Sequence, residues 1–199
     1  MALTMLAACV VLVPPAAGRV IYVDDDAVGS NNGSSWKNAF LCLQDALSIA
    51  TSGDDIRVAQ GIYKPDQHIV KNRVTGSGDR SATFRLINGV TLRGGYAGFA
   101  ESNPNQRNTQ RYGSILSGDL RGDDIPVDDL SELASEHRWW NNCAHVVTCH
   151  EVDQTAWIEG FTITGGYADY RADSRGGGGV LCLSASPTVS NCKFIANRA

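Results

Sequence analysis

The chain repeats itself, and repetition constrains its fold more than any other property. Val90-Thr91-Leu92-Arg93-Gly94-Gly95-Tyr96-Ala97 aligns with Phe161-Thr162-Ile163-Thr164-Gly165-Gly166-Tyr167-Ala168, 71 residues on. Ile158-Glu159-Gly160-Phe161-Thr162-Ile163 aligns with Val189-Ser190-Asn191-Cys192-Lys193-Phe194, 31 residues on. A unit of about 24 residues accounts for both: three units give the longer spacing, and one unit plus a polar insertion at Tyr170–Arg175 gives the shorter. A unit of that length cannot bury its apolar face alone, so its neighbours must stack on it.

The segments inside these units read as strands. Ile56–Ala59, Phe84–Leu86, Val90–Leu92, Ile115-Leu116, His145–Thr148, Ala156–Ile158, Phe161–Ile163, Val180–Leu183, Pro187–Val189 and Cys192–Ile195 are short β-branched or large apolar runs. Gly, Asn, Asp or Pro bounds each one, as turns require. No helical pattern lies between them to make βαβ crossovers, which excludes a doubly wound sheet. The 21 glycines are well above the ~7 % average, and their place inside apolar stretches marks them as architectural. The expected fold is all-β: a right-handed parallel β-helix, a solenoid, over residues 19–199. Its C-terminal end is expected to be truncated, because Ala199 falls in mid-unit.

One helix is expected. Between residues 38 and 51, Phe40, Leu43, Leu47 and Ala50 step by three, four and three, one face of an α-helix. Ser35 stands where an N-cap could be and Gly53 where a helix stops. Laid across the first unit, this helix caps strand edges that would otherwise invite aggregation.

Residues 1–18 carry no charge, and the run Leu6–Val13 is too short to span a bilayer, which takes about 20 residues. With Ala16-Ala17-Gly18 after it, the stretch reads as a signal peptide; Leu6-Ala7-Ala8-Cys9 also resembles a lipobox, and a buried first strand is a third reading. The expected setting is secreted or cell-surface, with no transmembrane span in the mature chain. A formal charge of −4 and no dense Lys/Arg run argue against nucleic acid. Beyond Cys9 there are five cysteines, an odd number in apolar settings, more like core residues than a disulfide framework.

Ile21-Tyr22-Val23-Asp24, the Gly29–Trp36 loop, Leu43-Gln44-Asp45-Ala46-Leu47 and Gly53–Tyr63 resemble the start of secreted bacterial right-handed β-helix proteins of the pectate-lyase-like fold. Gly177-Gly178-Gly179-Val180 and Phe194-Ile195-Ala196-Asn197 are similar to the GGxI and FxxN signatures of polymorphic outer-membrane-protein repeats. The resemblance covers nearly all of residues 20–199. It implies a secreted or cell-surface passenger domain, adhesive in some relatives and linked to polysaccharide breakdown in others.

Several residues are chemical candidates. Asp24, Asp25 and Asp26 offer oxygens to calcium, provided the chain turns there; otherwise they are a solvated strand end. Asp119, Asp123 and Asp124 form a second acidic group with the same two readings. Cys143, His145, Cys149 and His150 have metal-like types but no zinc spacing, and read better as core cysteines with surface histidines. Arg57, Arg85, Arg93 and Lys193 lie on strands where a lyase base could sit, with no acidic group legible beside them. Trp139, Trp140, Tyr63, Tyr96, Tyr112 and Tyr170 could make a sugar-stacking surface, framed by insertions at 98–113 and 120–142; alternatively they cover core edge. No catalytic constellation stands out and no cofactor is implied, calcium aside. The expected function is a non-catalytic surface module for adhesion or for binding polysaccharide or cell-surface glycan. The alternative is a polysaccharide lyase or glycoside hydrolase with its groove along the coils.

Overall fold

The computed structural model describes residues 18–124, 137–169 and 176–199. The signal-peptide reading of residues 1–18 falls outside these but for Gly18, as do the insertion Tyr170–Arg175 and the candidate Tyr170. The described chain is mostly strand with a single α-helix. β1 is Val20–Val23, α1 Leu43–Ile49, β2 Asp55–Ala59, β3 Gly61–Tyr63, β4 Gln67–Val70, β5 Arg73–Gly76 and β6 Phe84–Arg85. β7 is Thr91–Tyr96, β8 Ser114–Ser117, β9 Val147–His150, β10 Trp157–Glu159, β11 Phe161–Thr164, β12 Val180–Leu183, β13 Thr188–Ser190 and β14 Lys193–Ile195.

Three sheets are parallel. The first runs β1-β2-β7-β10-β13, the second β3-β8-β11-β14 and the third β6-β9-β12; β4 and β5 form a separate antiparallel hairpin. From β6 onward the chain visits the third, first and second sheets in that order three times over. We call each circuit through the three sheets a pass.

Register converts this path into stacked rows of side chains. Ile21, Ile56, Leu92, Ile158 and Val189 are successive partners in the first sheet. Tyr63, Leu116, Ile163 and Phe194 are successive partners in the second, and Phe84, Val147 and Val180 in the third. All but the last member of each row are buried in one continuous core. The rows end open: Val189 is 42 % exposed and Phe194 52 %. Where β10 turns into β11 the chain needs one residue in the left-handed region; Gly160 supplies it at φ 79°, and Asn191 does so between β13 and β14 at φ 48°.

The 31-residue spacing is the true register, because Ile158 faces Val189 and Ile163 faces Phe194. The 71-residue spacing is not. Leu92 belongs to the first sheet and faces Ile158, whereas Ile163 belongs to the second. The two Gly-Gly-Tyr motifs also bend differently, with positive φ at Gly95 in one and at Gly165 in the other. A uniform unit of about 24 residues does not survive this register.

The helix is shorter than 38–51. Phe40 is extended instead: its backbone bridges Val23, donating to the Tyr22 carbonyl while its own carbonyl accepts from Asp24 N–H. Cys42 is still extended at φ −116°, ψ 131°, so α1 starts only at Leu43. Ser35 accepts from Asn38 N–H and caps a turn, not the helix. At the other end Ala50 leaves helical geometry and Asp54 takes the Thr51 N–H, before Gly53 matters. Of the expected apolar face, Phe40, Leu43 and Leu47 are buried with Ile21 and Val23 while Ala50 is only partly buried, and Ala46, outside that reading, is buried too; α1 packs on β1, β4 and β6. No helix among the described residues is long and apolar enough to cross a membrane.

Candidate ligand-binding site

One corner of the stack gathers side chains from successive passes. Arg80 precedes β6, Trp139 and Trp140 lie in a 3-10 turn (His137–Asn141) before β9, Tyr167–Asp169 follow β11, and Arg198 follows β14. Together Arg80, Trp140, Tyr167, Ala168, Asp169 and Arg198 line a cavity of about 340 Å³, within the size range of small-molecule sites.

Backbone and side chains fix this corner. Arg80 donates from Nε to the Asn142 carbonyl (2.7 Å), from Nη2 to the Tyr167 carbonyl (3.1 Å) and from Nη1 to Asp169 Oδ2 (3.4 Å). Tyr167 bridges Arg198 through the backbone, and two guanidiniums lie over its ring, Arg198 at 5.4 Å and Arg80 at 6.0 Å from its centroid. Trp139 is buried against Tyr167. Trp140 is 48 % exposed. Arg198 Nη1 is a buried donor with no hydrogen-bond acceptor. The Arg80 and Arg198 guanidiniums and the Asp169 carboxylate give the cavity wall charged hydrogen-bonding groups. An oxygen-rich or anionic ligand suits such a wall, and a flat ring suits Trp140.

The other sequence candidates fall elsewhere. Of the rings named, Tyr63, Tyr96, Tyr112 and Trp139 are buried, so their faces are closed to a sugar. Tyr112 spends its hydroxyl on Gln106, and Arg111 lies over its ring. The 98–113 insertion does not stand away from the sheets to frame a groove. It folds back on the outer face of the first sheet, held by Trp36 Nε1 to Asn105 Oδ1 (2.9 Å), Phe99 N–H to Asp24 and Arg107 to Glu159 (3.2 Å).

Asp24, Asp25 and Asp26 do converge, because the chain turns directly after β1; their carboxylate oxygens lie within 4.8 Å of one another. Asp24 already accepts from Asp26 N–H and Phe99 N–H. Burial raises its pKa, opposed by those two bonds. Burial and the neighbouring Asp26 push Asp25 up to about 6. Asp119, Asp123 and Asp124 also come within 4.8 Å. Asp119 accepts from Gly122, Asp123 and Asp124 N–H, while Asn141 donates to Asp123 and Asn142 to Asp124 at 2.7 Å. Both groups have the oxygens a calcium ion takes, and in both, N–H donors already supply compensation.

Two of the strand arginines, Arg57 and Arg93, have acidic partners after all. Asp55 binds Arg57 (3.0 Å) and Arg93 (2.9 Å), and Glu159 binds Arg93 (3.7 Å) and Arg107. Asp55 and Glu159 are far from Arg93 in sequence, and only register brings them beside it. His145 Nδ1 meets the Gly177 carbonyl, His150 is exposed beside Glu151, and Cys143 is buried in the core. These do not form one cluster with Cys149, whose neighbour is Cys182.

No family model, no curated protein and no solved structure matches this chain.

Proposed function

We propose that this chain is a non-catalytic, extracytoplasmic module that binds glycan on a right-handed parallel β-helix, in a secreted or cell-surface setting. The ordered return of the chain through three parallel sheets supports the coil. Crossovers between parallel strands of one sheet are right-handed in about 98 % of cases, which supports its hand. The uncharged, signal-like stretch 1–18 supports export. Binding rests on one observation: the exposed Trp140 ring shares a cavity with the Arg80 and Arg198 guanidiniums. A pyranose stacks its C–H face on the indole while its hydroxyls or carboxylate accept from the arginines.

The test titrates the full chain with polygalacturonate, alginate and neutral glycans by calorimetry and tryptophan fluorescence. Trp140→Ala should weaken binding at least about tenfold, roughly 1.4 kcal/mol. Trp157→Ala, an exposed tryptophan on the first sheet, should leave it unchanged. No binding to any glycan, or equal binding by the Trp140→Ala chain, overturns the reading. New unsaturated or reducing ends above a heat-killed control replace it with the lyase or hydrolase alternative.

A further inference from the structure

Cysteine faces cysteine at one point among the described strands. β9 and β12 are parallel neighbours in the third sheet, and Cys149 stands directly opposite Cys182. Parallel partners lie about 4.8 Å apart, inside the roughly 4.4–6.8 Å between Cα atoms that a disulfide spans. Opposed residues of parallel strands project to the same face, here the face of Val147 and Val180 two residues earlier. Burial raises the pKa of the Cys149 thiol, and the neighbouring Cys182 raises it further. Cys149 is buried, while Cys182, on the last pass, is exposed. The pair therefore has an inner sulfur held in place and an outer sulfur open to reagent.

We propose that Cys149 and Cys182 form a disulfide that staples the final pass, β12–β14, to β9–β11, when the chain meets a low-molecular-weight disulfide. The Cys182 thiolate attacks one sulfur of oxidised glutathione and breaks its S–S bond; the departing glutathione takes up a proton. Cys149 then loses its proton, and its thiolate attacks the Cys182 sulfur, displacing the second glutathione. Two cysteine thiols are oxidised by two electrons, one glutathione disulfide is reduced to two thiols, and the cysteine protons end on the glutathiones. Burial holds Cys149 up to about 12, so the second step sets the rate.

The experiment incubates the full chain with oxidised glutathione and then alkylates the remaining thiols. Of six cysteines, four should stay alkylatable, and tryptic peptide 139–171 should be joined to 176–193 with the link placed at Cys149 and Cys182. Oxidation should also slow thermolysin cleavage within residues 180–195 at least about tenfold. The Cys182→Ser chain should show neither effect, while Cys192→Ser, in the turn between β13 and β14, should show both. Six alkylatable thiols, a link at any other cysteine, two thiols lost from Cys182→Ser, or equal cleavage of oxidised and reduced chains overturns the proposal.

Discussion

Asp25 shows what a single residue costs this structure and when. Its carboxyl is pushed up to about 6 by burial and by Asp26, with the Ile62 N–H pulling the other way. A folded-state value above the unfolded one means that the native chain binds this proton more tightly. The favourable contribution is therefore present below about pH 4 and lost as the pH rises through about 6. Asp25→Asn keeps an acceptor for Ile62 and removes the titration. Above pH 7 it should stabilise the chain by about 1 kcal/mol, discounted for the exposed side of the carboxyl, or roughly 2–4 °C in Tm. Thermal melts at pH 4 and pH 7.5 check this; an equal gain at both would refute it. At this scale the sequence was a partial guide. The acidic triplet was legible as residue types, but its convergence depended on a turn that the residue order leaves open. Trp139, Trp140 and Tyr112 looked alike as rings; which one meets solvent depends on packing from other passes. The partners of Arg93 could not be read at all, since Asp55 and Glu159 reach it only through register.

Rows of buried side chains are what make the short strands hold. Ile163 sits between Leu116 and Phe194 with no exposed surface, so Ile163→Ala should cost about 2–5 kcal/mol. Phe194→Ala, in the same row but half in solvent, should cost less than about 1.5 kcal/mol, since much of the ring is already wet. Urea titration of the two variants checks the contrast, and equal losses would mean the row is not closed as described. Strands of β-branched residues between turn residues were readable one by one. The β4–β5 hairpin was not, because its turn is Lys71-Asn72, both at positive φ, in place of the usual Asn-Gly signal. Its strands are also largely exposed and lack the alternation that marks a buried face. The helix was overextended because Phe40 and Leu43 share an apolar spacing whether or not Phe40 is helical. Its backbone went to the edge of β1 instead, where a ladder hydrogen bond was available.

The first and last described passes are unlike. At one, α1 and Phe40 close over β1; at the other, Val189, Phe194 and Cys182 of the last pass lie open. In a stack whose members touch only their neighbours, a pass with one neighbour among these residues opens more readily than a pass with two. Amide exchange of β12–β14 should be faster than that of β9–β11 by at least about tenfold at neutral pH, and uniform protection would show that the chain opens as one unit. The repeat was legible where the passes follow one another without a long insertion, hence the 31-residue spacing. It was misread where Gly-Gly-Tyr serves two different sheets and where unequal loops stretch the passes. Those unequal loops leave the register of the first sheet undisturbed, although one of them, 98–113, lies on its outer face. Tyr22, Arg57, Arg93, Glu159 and Ser190 are successive partners along the first sheet, spaced about 4.8 Å apart whatever the chain does between them. Such a row is a ruler, graduated in charge and set by backbone hydrogen bonding alone. The chain itself reads one mark of that rule: Arg107, from the 98–113 insertion, closes an ion pair on Glu159.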